Sequence, residues 1–191
     1  MIPSFSIPPK LRYQDDLYRY SGKTDLKFLL KSLLNRPGFQ ITFFFRKINQ
    51  HSEYSPIGLF YRGMYRYISR KYGFQIPLGT KIGAGLYIGH HGTIVINRLA
   101  VIGKNCNITH NVTIGMQNRG AKKGYPTIGD NVWIGTGAVI VGSIIVENNV
   151  IIAPNAYVNF DVPQNSIVIG NPGKIIKKDT DVTVGYIDNR V

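Results

Sequence analysis

Four histidines are the side chains of this sequence best suited to moving a proton near neutral pH, and their positions separate them. His90 and His110 each stand two residues after an isoleucine, Ile88 and Ile108, and those isoleucines are twenty residues apart. His91 follows directly and precedes Gly92, whereas His51 lies in a polar run with Asn49, Gln50 and Ser52 and reads as a surface residue. An imidazole beside a hydroxyl can take its proton as the oxygen attacks, which contributes on the order of 10²–10⁴ in rate. Spacing alone leaves two readings for His90 and His110, a solvated corner side chain or such a base. The histidines share no carboxylate or cysteine set at ligand spacing, so no metal site is expected. The single cysteine, Cys106, falls two residues before Ile108, where a small buried thiol is expected rather than a nucleophile. One cysteine permits no internal disulfide and suits a reducing cytoplasm.

The element that must hold these side chains has a six-residue period. It runs through Ile76, Ile82, Ile88 and Ile94, then Ile96, Ile102, Ile108 and Ile114, then Ile128, Ile134, Ile140, Val146, Ile152 and Val158. Six is neither the 3.6 of a helix nor a two-residue alternation, and it predicts a parallel β-solenoid that buries one aliphatic per strand. The first change of phase, Ile94 to Ile96, adds two residues for a corner to absorb. The second leaves fourteen residues where six would serve, so residues of about 116–126, rich in Gly and Lys, are expected to leave the coil as a functional loop. A coil of eighteen plus the two-residue addition stacks His90 over His110, both facing outward.

Before the solenoid the spacing turns helical. Leu26, Leu29, Leu30, Leu33 and Leu34 form an apolar stripe with Thr24 as cap and Pro37-Gly38 as stop. A second segment covers about 39–49. A third stripe, Ile57, Phe60, Tyr61, Met64, Tyr65 and Ile68, ends near Arg66, Arg70 and Lys71, cations that suit a helix C-terminus. These segments predict a helical cap on one open end of the solenoid, where strands would otherwise stay unpaired. Phe43, Phe44 and Phe45 beside Arg46 and Lys47 add a subsidiary expectation of peripheral membrane contact. The expected division is a cap over 1–72, a β-helix domain over 73–164 with the extruded loop 116–126, and a C-terminal extension over 165–191.

Composition narrows the function classes. Of 191 residues 43% are hydrophobic and 12% aromatic, which excludes a disordered chain. No stretch approaches the ~20 apolar residues of a membrane span. Met1 to Lys10 lacks a basic segment followed by an apolar run, so no targeting signal is expected. The formal charge of +13 calls for an anionic partner: nucleic acid, acidic membrane, acidic polysaccharide or a phosphate-bearing cofactor. Nucleic acid is disfavoured, since no recognition-helix, zinc-finger or aromatic RNA-binding motif is present.

Five motifs, in order, carry a resemblance: Gly85-Leu86-Tyr87-Ile88-Gly89-His90-His91-Gly92-Thr93-Ile94-Val95-Ile96-Asn97, Val112-Thr113-Ile114-Gly115, Pro126-Thr127-Ile128-Gly129, Val132-Trp133-Ile134-Gly135-Thr136-Gly137-Ala138 and Gly170-Asn171-Pro172-Gly173-Lys174. Over about Tyr72 to Ile176 the chain resembles the hexapeptide-repeat acyltransferases, in the serine acetyltransferase-like branch that includes bacterial polysaccharide O-acetyltransferases. The resemblance implies a mainly β fold, a left-handed parallel β-helix with an N-terminal α-helical cap. It also implies a homotrimer with active sites between subunits, and acetyl transfer from acetyl-CoA to a hydroxyl with His90 as general base. By position it assigns coenzyme A to Met116, Gln117, Thr136 and Pro154, with Lys122, Lys123 and Lys174 for its phosphates. No metal is implied.

Departures from that family bear on the acceptor. The branch's serine enzymes carry an aspartate before the catalytic histidine, a second that orients the imidazole and a histidine before a proline; here those positions are Gly89, Gln75 and Tyr125. Binding the ammonium group of serine without a carboxylate would leave a charge unpaired. A neutral sugar hydroxyl needs only hydrogen-bonding and aromatic surfaces, for which Gln75, Asn97, Asn111 and Tyr125 are the candidates. The expectation is therefore a cytoplasmic O-acetyltransferase acting on a saccharide, anionic or lipid-linked, in bacterial capsule, exopolysaccharide or lipopolysaccharide assembly. The alternatives are a serine O-acetyltransferase and, outside enzymes, a solenoid scaffold or polyanion binder.

Overall fold

The aliphatic clock winds into a three-faced coil of parallel strands. The computed structural model describes residues 12–191, and the expectation about Met1 to Lys10 lies outside them. One face carries β1 (Phe74–Gln75), β4 (Ile94–Ile96), β7 (Thr113–Gly115), β10 (Val139–Val141) and β13 (Tyr157–Val158). The second carries β2 (Lys81–Ile82), β5 (Val101–Ile102), β8 (Thr127–Ile128) and β11 (Ile145–Val146). The third carries β3 (Tyr87–Ile88), β6 (Asn107–Ile108), β9 (Trp133–Ile134), β12 (Ile151–Ile152), β14 (Ser166–Ile169) and β15 (Lys174–Lys177), the last pairing antiparallel to β14. Ile102, Ile108, Ile114, Ile128, Ile134 and Ile140 are fully buried along the axis, each contributing roughly 1.5–3 kcal/mol.

Register fixes the rungs. Tyr87 pairs with Asn107, Asn107 with Trp133 and Trp133 with Ile151, giving successive rungs of twenty, twenty-six and eighteen residues. The twenty-six-residue rung contains the extruded segment, which folds back through an antiparallel bridge between Gln117 and Gly124. The two-residue addition is not where the sequence places it. Ile94 and Ile96 sit in one straight strand and are both buried. The extra residues lie instead in the corner after Ile88: five residues separate Ile88 from β4, whereas three separate Ile108 from Val112, the residue level with Ile94. That lengthened corner contains His90.

A second regularity runs down another corner. Asn105, Asn131, Asn149 and Asn165 all adopt the left-handed conformation, φ 54–58°, a region that asparagine tolerates better than most residues. Asn105 Nδ2 donates to Asn131 Oδ1 (3.3 Å), Asn131 to Asn149 (3.0 Å) and Asn149 to Asn165 (3.2 Å). The segment after β15 returns along the third face, where Asn107 donates to Tyr186 O and Val191 N donates to Asn105 Oδ1.

Four helices precede the coil: α1 (Tyr13–Tyr18), α2 (Leu26–Asn35), α3 (Pro37–Ile48) and α4 (Pro56–Tyr72). A first rung has carbonyls with no preceding rung to bond, and cap side chains meet them. Arg46 donates to Ile82 O (2.8 Å) and Gly83 O (2.6 Å), Arg19 to Gly85 O (2.6 Å), Tyr20 to Ile88 O (3.0 Å) and Tyr65 to Ile76 O. Asp16 accepts from Leu86 N at 2.9 Å and holds Arg46 at 2.8 and 3.1 Å, with both side chains buried. Burial pushes the Asp16 carboxyl up, against the pull of the Arg46 guanidinium. Polar satisfaction of an otherwise orphaned edge thus joins cap to coil.

Several cap expectations are corrected. α1 has no counterpart in the sequence reading. α2 is capped by Asp25, which accepts from Phe28 N at 3.0 Å, not by Thr24. Pro37-Gly38 opens α3 instead of stopping a helix, because proline at the first helical position loses no donor that would be bonded. Three of the five stripe leucines face outward, Leu26 69%, Leu30 53% and Leu34 78% exposed, while Leu29 and Leu33 are half-buried. Ile57 and Phe60 of the third stripe are likewise exposed, whereas Tyr65 and Ile68 are buried. Phe44, Phe45 and Arg46 are buried, which withdraws the segment proposed for membrane contact. Among the described residues no helix is long and apolar enough to cross a membrane.

Candidate functional site

Because β3 and β6 pair in register, His90 and His110 occupy equivalent stations at the corner leading from the third face to the first. Their rings meet edge-on, centroids 5.8 Å apart at 83°. His90 is exposed and His110 half-buried, and the Nδ1 of His110 is buried without a hydrogen-bond partner among the described residues. The same register brings Thr136 and Pro154 to this corner on the next two rungs, with Thr136 Oγ1 3.3 Å from Thr109 Oγ1. Asn111 adjoins His110 in the left-handed conformation, φ 59°. His90, His110, Thr136 and Pro154 therefore form one column running parallel to the coil axis.

The lengthened corner lets the first rung turn wider than those below it. Gly92 adopts φ 144° within it, and His91 is directed to Tyr72, ring centroids 5.2 Å apart. Above this corner sits the start of α3. A Cβ on Gly38 would fall 2.0 Å from Ile88 O, so only glycine lets the helix approach the rung this closely. The approach leaves a cleft of about 430 Å³ beside the histidines, lined by Tyr20, Lys31, Arg36, Tyr72, His90 and His91 among others. Sequence reasoning did not single out Lys31, Arg36, Tyr20 or Tyr72. The Pro37-Gly38 pair was the available signal, since it marks a tight contact whose location only the fold reveals.

The other candidates lie elsewhere. Met116, Gln117, Lys122, Lys123 and Tyr125 belong to the extruded segment, which leaves from the far edge of the first face, and Asn97 occupies the same corner one rung earlier. Met116 and Lys123 are exposed. Lys122 Nζ contacts Asp161 Oδ2 at 2.7 Å, and that hydrogen bond holds the Asp161 carboxyl below the usual aspartate range. Gln117 Nε2 donates to Arg119 O at 2.9 Å, and Asn97 Oδ1 accepts from Leu99 N at 2.9 Å. Gln75 pairs with Val95 on the first face and Lys174 starts the exposed β15. Apart from Gln75 on the face itself and Lys174 on β15, the candidates within one chain form two groups separated by the width of the first face.

Two other titratable groups are structural. The Cys106 thiol is fully buried, donates to Gly129 O at 3.3 Å, and is pushed up to about 12 by burial. His51 is half-buried with its ring 5.3 Å from that of Tyr61, which replaces the expected surface position. Among the described residues no group of three or more His, Cys, Asp or Glu could hold a metal.

The coil, its repeat and its histidine corner agree with a family match over part of the chain: residues 125–159 match the bacterial transferase hexapeptide (six repeats) family. Within that class the likeness is to serine acetyltransferases, and the fold is their left-handed β-helix. The chain is 42% identical over 107 residues to a serine acetyltransferase of Staphylococcus aureus and 41% to one of Staphylococcus epidermidis. Those matches cover 56% of this chain and 50% of each relative, so the chain spans about half the length of the curated relatives it matches. A serine acetyltransferase from Brucella abortus, solved with coenzyme A, superposes with a TM-score of 0.70 at 27% identity, covering 91% of this chain and 68% of the other. The soybean enzyme complexed with serine gives 0.69 at 28% identity, covering 88% and 70%.

Proposed function

We propose that this protein is an acetyl-CoA-dependent O-acetyltransferase in which His90 is the general base. The observation that carries the reading is the exposed His90 imidazole on a lengthened corner, at the edge of a cleft, in a fold shared with an acetyltransferase solved with coenzyme A. His90 takes the proton of the acceptor hydroxyl as its oxygen bonds to the thioester carbonyl, and returns it to the departing sulfur. Thr136 and Pro154, on rungs below the histidines, line the path assigned to the pantetheine arm, and Lys123 and Lys174 are free to meet phosphates. Lys122 must first leave Asp161. The histidine corner and the extruded segment lie on opposite edges of one face, and a second copy beside the first would bring them together, as in the homotrimer that the family resemblance implies. An unpaired buried thiol suits action in a reducing cytoplasm.

The relatives favour serine as the acceptor over the saccharide read from the sequence. One observation keeps the saccharide reading in play: Gly89 and Gln75 carry no carboxylate, and no acidic side chain lines the cleft beside His90. A thiol-release assay with acetyl-CoA, serine and a panel of sugars and oligosaccharides decides between them. His90→Ala is expected to lower turnover by about 10²–10⁴ while shifting stability by less than about 0.5 kcal/mol, as an exposed residue should. A large loss of stability with turnover retained would make His90 structural.

A further inference from the structure

We infer that Arg36 and Lys31 form an anion subsite in the cleft beside His90, holding the carboxylate or phosphate of a small acceptor whose hydroxyl faces the imidazole. This inference rests on the acyltransferase reading and adds the acceptor's chemical class.

The charge of the cleft is one-sided. Lys31, Arg36, His90 and His91 line it, with no Asp or Glu among the lining residues. The ion pairs among the described residues are Arg12–Asp15, Arg46–Asp16, Arg62–Glu53, Lys122–Asp161 and Arg190–Asp181; they leave both Arg36 and Lys31 without a carboxylate. Arg36 is nevertheless fixed. Its guanidinium carbon lies 5.3 Å from the centre of the Tyr20 ring and 5.7 Å from that of the Phe28 ring, and no ion pair among the described residues occupies its N–H donors, whose fork suits a bidentate anion. Tyr20 is itself anchored by donating to Ile88 O at 3.0 Å, next to the histidine corner. Arg36 stands between two helices, its backbone N–H closing α2 on Ser32 O while the same residue opens α3, so the helix ends offset one another there and the side-chain charges set the potential. A cation held rigidly, half-buried and unpaired beside a candidate base is a specificity device, because a neutral ligand would leave it uncompensated. The volume, about 430 Å³, suits one small molecule.

Two sources share this chemistry, an amino acid such as serine and an acidic or phosphorylated sugar. Thiol release would be measured with L-serine, D-glucuronate, glucose 6-phosphate and methyl glucoside. Calorimetry would follow the three charged compounds binding to the protein alone. Arg36→Gln is expected to raise the KM of the charged acceptor about tenfold, the worth of one charge-assisted hydrogen bond, with the acetyl-CoA KM unchanged. Arg36→Lys recovers part of the loss, and Lys31→Gln gives a smaller rise without touching the ring contacts. The identity of the charged acceptor that turns over tells amino acid from sugar. Equal efficiency with methyl glucoside, or a rise in the acetyl-CoA KM instead, overturns the subsite. No thiol release with any acceptor defeats the acyltransferase reading instead; the subsite then stands if calorimetry shows anion binding weakened by Arg36→Gln, and falls if no charged compound binds.

Discussion

The coil and its cap are stabilised by different means. In the coil the same aliphatic station is filled rung after rung, and the isoleucines of the inner rungs, such as Ile102, Ile108 and Ile134, have equivalents above and below them. In the cap a few polar side chains, Asp16, Arg19, Tyr20, Arg46 and Tyr65, close an edge that has no further rung. The coil spreads its stability over many similar contacts, whereas the cap concentrates it in groups that have no substitutes.

Arg46→Ala should therefore be the most damaging single change, costing about 3–5 kcal/mol because it strands the buried Asp16. Hydrogen exchange should show the loss concentrated in the helices and first rung. Ile134→Ala, in mid-coil, is expected to cost about 2–5 kcal/mol, at the low end if neighbouring rungs relax into the space. Chemical denaturation of both variants tests the comparison, and a larger cost for Ile134→Ala than for Arg46→Ala breaks it.

The difference between the regions also governs what could be read in advance. Ile102 or Ile134 declares itself because its neighbours lie six residues either side, and the surplus between Ile114 and Ile128 shows equally well. The corner after Ile88 was misplaced since Ile94 and Ile96 both point inward on one strand, so either can be counted as the clock's next beat. The cap contains no repeat. Its leucines on α2 mimic a buried face, while the buried residue of that helix is Ser32. Type and spacing narrow the four histidines to His90 and His110, and the family resemblance selects His90 between them. Arg36 and Lys31 were not singled out, because their meeting with that corner depends on how closely α3 approaches Ile88.

Smaller effects sharpen the contrast. Asn149→Ala removes two seam bonds and places alanine at φ 57°; a loss of about 1–3 kcal/mol is expected, with Asn149→Gly recovering the backbone share. Equal losses for both would assign the whole effect to the amide. Lys122→Ala should cost at most about 1 kcal/mol, since the pair with Asp161 is exposed. The Asp161 carboxyl is held low, so its contribution is complete above the ordinary aspartate value of about 3.9 and disappears as pH falls through the depressed one. Thermal melts of wild type and Lys122→Ala should converge at the acid end, and a gap that persists there would mean the lysine acts through packing.

The column of His90, His110, Thr136 and Pro154 makes the molecule a ruler. Strands in a sheet repeat every ~4.8 Å, so these stations are graduations along which an extended ligand can be gauged. Two imidazoles one graduation apart are then not interchangeable, for a reactive atom at the tip of a ligand of fixed length comes level with only one of them. Substrate choice in such a protein becomes partly a matter of metrology, set by how many rungs lie between the anchor and the base.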